Sequence, residues 1–113
     1  MQQVDLISSR DGIETLEGFA VAFFGAMGVA GYEQRESENY TGGTYFIGKT
    51  SESEFNISIS DDPQHEDMPY WVEVSALHAS VVDDQVRERL LPQGFRVALV
   101  ENFGETTERR ATY

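Results

Sequence analysis

The residues best equipped for chemistry lie in the middle of the chain. His65 sits in Asp61-Asp62-Pro63-Gln64-His65-Glu66-Asp67, where an imidazole and four carboxylates could crowd around Ca²⁺ or Mg²⁺. The spacing argues otherwise. A calcium loop of the EF-hand type needs acids at alternating positions, a central glycine and a distal glutamate, and none of these is present. A transition-metal site would want a second histidine nearby, and His78 follows 13 residues later, beyond a strand pattern. The expectation is a solvated acidic loop with no specific metal and no cofactor, and His78 reads as a satisfied residue at a strand end.

Other catalytic patterns are missing as well. No serine stands in a Gly-x-Ser-x-Gly elbow. Gly42-Gly43 is too short a glycine run to cradle a phosphate, and no helical pattern follows Lys49 as a P-loop would require. The chain has no cysteine, which removes thiolate ligands, disulfides and a cysteine nucleophile. Paired acids could do the general acid–base work of a glycosidase, but among 20 acidic residues some pairs fall close by chance. The reading is not an enzyme.

The distribution of charge is more informative. Formal net charge is −12. Between Glu33 and Asp67 nine acids face only Arg35 and Lys49, a net −7 in 35 residues. Phosphate recognition is the work of Lys and Arg. Arg87, Arg89, Arg109 and Arg110 are too few for a nucleic-acid footprint and read as ordinary surface pairing. A folded acidic surface repels nucleic acid and anionic membranes and attracts basic proteins and cations. The longest apolar stretch, residues 19–30, has 12 residues including two glycines, short of the roughly 20 needed to cross a bilayer. The N-terminus carries no secretory pattern, so the expected location is cytoplasmic.

At 113 residues, 40% apolar and 12% aromatic, the chain is long enough for one domain around a single core. Ser8 or Ser9 is a candidate N-cap, with Asp11, Glu14 and Glu17 suited to the positive end of a helix dipole. Ile13, Leu16, Ala20, Phe23, Phe24 and Met27 then recur at helical spacing until Gly28 or Gly31. This stripe is the main core helix, since a membrane-surface helix would carry Lys and Arg on its polar face. From Gly31 the period becomes two. Residues 32–37 form a charged strand, Tyr40-Thr41-Gly42-Gly43 a turn, and residues 44–47 a strand. Phe55, Ile57 and Ile59 alternate with polar residues, as do Tyr70, Val72, Val74 and Ala76. Residues 82–91 form a short second helix ended by Pro92 and Gly94, and Phe95, Val97 and Leu99 mark a final strand. The expected fold is α+β: an antiparallel sheet of four to five strands, with one long N-terminal helix and one short C-terminal helix packed on one face. Residues 1–113 form a single domain, with residues 1–7 and 104–113 as loose termini.

The uncovered face of such a sheet would be wet and partly acidic. Trp71 has the opposite parity to Val72 and Val74 and lies beside Glu73. It is either an aromatic anchor for a protein partner or a residue packed under a loop or the second helix.

The segments Arg35-Glu36-Ser37-Glu38-Asn39-Tyr40, Gly43-Thr44-Tyr45-Phe46, Asp61-Asp62 and Pro69-Tyr70-Trp71-Val72 resemble small acidic bacterial immunity proteins encoded beside polymorphic or contact-dependent toxins. The likeness covers about 40 residues and rests on pattern and charge. It implies a role more than an architecture: binding a toxin domain, often a basic nuclease, and blocking it. On that basis Glu36, Glu38, Glu52, Glu54, Asp61, Asp62, Glu66 and Asp67 are expected as steering and rim charges, with Tyr40 and Trp71 as anchors. The competing reading is a generic acidic domain whose charge serves solubility, with a small-ligand or enzyme domain behind it.

Overall fold

A computed structural model describes residues 1–113. Seven strands form one antiparallel sheet: β1 (Gln2–Arg10), β2 (Glu33–Glu36), β3 (Thr41–Lys49), β4 (Ser53–Ile59), β5 (Tyr70–Ala76), β6 (Phe95–Glu101) and β7 (Arg109–Thr112), in the order β2-β3-β4-β5-β1-β6-β7. Helix α1 (Leu16–Met27) follows β1, and helix α2 (Ala79–Gln85) follows β5 and runs on through a π-helical turn, Val86–Leu90. The class is α+β with an antiparallel sheet, as expected.

The strand count corrects the expected four to five, and the difference lies in the termini. Residues 1–7 are no loose end: β1 is a middle strand, with Leu6 opposite Val72 on one side and Leu99 on the other. Residues 6–9 are all buried, because both faces of β1 are covered there. Ser8 and Ser9 therefore lie inside the strand rather than at a helix start, and Ser8 Oγ donates to the Arg96 carbonyl at 2.7 Å. The C-terminal residues are likewise ordered. β7 pairs with β6, Tyr113 N–H donates to the Val97 carbonyl at 2.9 Å, and the Tyr113 hydroxyl donates to Asp83. Burial and the Asp83 hydrogen bond raise that phenol above its ordinary range.

Helix α1 is shorter than expected, at 12 residues. Thr15 Oγ1 accepts the Gly18 N–H at 3.0 Å as its N-cap. Gly28, at φ +73°, closes the other end, and Val29 N–H reaches back to the Phe24 carbonyl at 2.8 Å, a Schellman ending. Leu16, Phe19, Ala20, Phe23, Phe24 and Met27 are buried against Phe55, Ile57, Val72, Val74 and Val97, and Val82, Val86 and Leu90 complete the same core. Both helices thus cover one face. The β2–β3 connection also differs: β3 begins at Thr41, and Gly42 and Gly43, both at positive φ, sit where the pairing with β4 slips register. The two edge strands, Glu-Gln-Arg-Glu and Arg-Arg-Ala-Thr, are short and charged, which blunts edge-to-edge association.

One glycine shows how tightly the covered face is packed. Phe24 and Tyr32 stack at 4.6 Å above β3, and a Cβ on Gly48 would stand 2.7 Å from Phe24 Cε1 and 3.0 Å from Tyr32 Cβ. Gly48→Ala is expected to destabilise the protein by about 1–3 kcal/mol through overpacking. A denaturant melt with unchanged m-value checks it, and an unchanged midpoint would refute this account of the contact.

Candidate functional site

The strand parity that sends Leu6, Phe55, Ile57, Val72 and Val74 toward the helices sends Asp5, Ile7, Asn56, Ser58, Trp71 and Glu73 to the other face. At one end that face is roofed. The β4–β5 loop and the β6–β7 hairpin fold over it, and Met68 packs with Ile7, Ala98, Val100 and Phe103 in a second small core. Trp71 lies against Phe103 with ring centroids 4.3 Å apart, so the loop-packing alternative holds for part of its ring. Arg110 clasps Asp67 with two hydrogen bonds, at 2.9 and 2.5 Å, and this guanidinium holds the Asp67 carboxyl at about 2. Asp67 is exposed and Arg110 partly so, so solvent screening holds the pair's net worth to about 1 kcal/mol.

The unroofed part of the face forms a depression of about 420 Å³ beside the β2–β3 turn, lined by Tyr40, Thr41, Ser58, Asp61, Trp71 and Glu73. Its walls are held by local bonds. Tyr40 stacks on Tyr45 at 4.4 Å, and its hydroxyl accepts from Asn56 Nδ2 at 2.9 Å. Asp61 accepts from Thr41 Oγ1 at 2.9 Å, tying the turn to the loop across the rim.

Glu73 stands directly opposite Asp5 on one side and Asn56 on the other. Two like charges facing each other across a ladder destabilise it. Burial, and after it the Asp5 charge, push the Glu73 carboxyl above its ordinary value, with a Gln3 hydrogen bond at 3.2 Å opposing. No cation lies within ion-pair distance of either carboxylate, although Arg35, Arg96 and Arg110 each have an acid of their own. Asp5 Oδ1 and Asn56 Oδ1 are buried without a hydrogen-bond partner. The arrangement can accept hydrogen bonds and positive charge, and it offers flat aromatic surface beside them.

Of the residues named from the sequence, Tyr40, Asp61 and Trp71 come together here. Glu54 lies on the same face, opposite Ser75 and Lys49. The others are scattered. Glu36 and Glu38 are exposed at the end of β2 and in the turn after it, and Glu66 is exposed on the β4–β5 loop. Glu52 sits on the helix side, in a polar cleft with Asp84, Gln85 and Glu88. Asp67 is taken up by Arg110, and Asp62 turns inward toward His65. That last contact corrects the reading of 61–67 as wholly solvated, because His65 is buried. Sequence reasoning missed Asp5 and Glu73 as partners, since nothing but the register of β1 on β5 brings them together. Comparison with known proteins finds no family model, no curated protein and no solved structure that matches the chain.

Proposed function

We propose that this chain is an acidic, non-catalytic protein-binding module that captures a basic partner on its open sheet face. Tyr40 and Trp71 serve as anchors, and Asp61, Glu73 and Asp5 receive a cationic side chain. The observation that carries this reading is the Asp5–Glu73 pair: two facing carboxylates, one with a buried unpaired oxygen, with no cation of their own. A guanidinium laid beside the two carboxylates would relieve their repulsion, while its flat face meets aromatic rings. The likeness to immunity proteins makes a toxin domain the expected partner, and a negative field speeds its arrival.

Lysate from the native host, passed at low salt over the immobilised chain, tests the reading. One basic protein should be retained and released by moderate salt. The double variant Glu54→Lys/Asp61→Lys should lose it, while Glu52→Lys, on the helix side, should keep it. Equal retention by all three would exclude the open face as the docking surface.

A second test needs no partner. Because the folded state raises the Glu73 carboxyl, it favours the neutral form. That advantage is fully present below the ordinary value of 4.5 and is lost as pH rises through the folded-state value. Glu73→Gln removes the repulsion of an opposed pair, worth about 0.2–1 kcal/mol. At pH 7 it should melt higher than the parent by about 1–6 °C, and the gap should close near pH 4. A variant that melts lower at pH 7 would show that the pair is not repulsive in the free protein.

A further inference from the structure

The β4–β5 loop and the β6–β7 hairpin meet around one buried side chain. His65 is 3% exposed, and neither ring nitrogen has a hydrogen-bond partner. Its Nε2 lies 3.4 Å from Glu108 Oε2 and 4.0 Å from Asp62 Oδ2. Both distances exceed the 2.7–2.9 Å or so of a charge-assisted hydrogen bond between nitrogen and carboxylate, and leaving a buried polar group unpaired is costly.

The carboxylates are individually oriented. Glu108 Oε1 accepts the Gly104 N–H at 3.1 Å, and Asp62 Oδ1 accepts the Gln64 N–H at 2.9 Å. Each thus uses one oxygen on backbone and turns the other toward the imidazole, the kind of outer bonding that aims metal ligands. The three ligand atoms all lie within 4.8 Å of one another. A tetrahedral Zn²⁺ with N and O ligands at about 2.0–2.2 Å separates them by about 3.3–3.6 Å; the 3.4 Å between Nε2 and Oε2 matches this, and Asp62 Oδ2, at 4.0 Å from Nε2, would have to move inward on binding.

We propose that Asp62, His65 and Glu108 form a binding site for a divalent transition-metal cation, best matched by Zn²⁺. Two carboxylates balance the dication, and a neutral imidazole supplies the nitrogen that distinguishes this site from the all-oxygen shells of Ca²⁺ and Mg²⁺. Three protein ligands leave a fourth position for water. The ligands come from two segments 43 residues apart at their nearest, between His65 and Glu108, so the ion would cross-link the loop to the hairpin beside the Asp67–Arg110 clasp. It would fix Phe103, against which Trp71 rests. The site uses none of Tyr40, Trp71, Asp5, Asp61 and Glu73, and it withdraws Asp62 from the rim charges expected from the sequence.

The test is a ZnCl₂ titration of the chelator-treated full chain, followed by thermal melting and by the ¹⁵N imidazole resonances of its two histidines. Zn²⁺ should raise the melting temperature by mass action and shift the His65 Nε2 resonance, with His78 unmoved and Mg²⁺ without effect at equal concentration. His65→Gln and Glu108→Gln should each weaken binding by at least about tenfold, while His78→Gln should bind like the parent. An unmoved His65 resonance at millimolar Zn²⁺ would reduce the cluster to an imidazolium held by two acids and overturn the proposal. Undiminished affinity in Glu108→Gln would also overturn it. Should either variant fail to fold, the His65 resonance of the parent decides alone.

Discussion

Burial of the phenylalanine stripe of α1 on the sheet is the interaction on which the remaining features depend. Phe19, Phe23 and Phe24 are fully buried; Phe19 and Phe23 reach Tyr70, Phe55 and Phe95 at ring-centroid distances of 4.5–6.3 Å, and Phe24 stacks on Tyr32 at 4.6 Å. Each contributes about 1.5–3 kcal/mol of hydrophobic stabilisation, enough for one well-covered face in a chain of this size. The strands must then present their apolar parity to α1 and α2, and period-two geometry sends every alternate residue the other way. The open face is a consequence of the covered one.

That open face cannot be built like the first, because no third layer covers most of it. Where the β4–β5 loop and the β6–β7 hairpin reach across, apolar residues return: Ile7, Met68, Ala98, Val100 and Phe103. Beyond their reach the residues are polar and their hydrogen bonds are local. Asp5 facing Glu73 departs from that pattern: a half-buried carboxylate stands directly opposite another across the ladder, with no cation within ion-pair distance of either. A stable monomer gains nothing from such a pair. A surface that meets a cationic side chain only in a complex gains affinity from it, because binding relieves what folding tolerates.

The parts of this architecture that could be read from sequence are those with one clean period. β5 alternates strictly and β4 nearly so, since each has one dry face and one wetter one, β6 opens on the alternation of Phe95, Arg96 and Val97, and the Leu16–Met27 stripe repeats at helical spacing. β1 was illegible for a physical reason. With Leu6 and Ile7 both buried, on opposite faces, the strand has no alternation to find, and the buried Ser8 and Ser9 look like caps. β7 is a four-residue edge, half of it charged, held by pairing to β6 rather than by its own composition. The depression was half legible. Tyr40, Asp61 and Trp71 carried recognisable signals of charge and aromaticity, while Asp5 and Glu73 acquire meaning only through register. Glu108 was invisible to any local rule, because its approach to His65 depends on where a hairpin folds.

The same geometry limits which acids can matter to a partner. The molecule measures 36 × 30 × 28 Å, and at physiological ionic strength exposed charges are largely screened beyond about 8 Å. A basic protein approaching the open face therefore feels chiefly the acids at that face and its rim. Glu52, on the helix side, adds to net charge and solubility but little to the local field at Trp71. A net −12 is consequently a poor measure of attraction. What sets this face apart from the rest of the surface is the local concurrence of Asp5, Asp61 and Glu73 with two half-buried aromatic rings, at a place where the fold supplies no cation of its own.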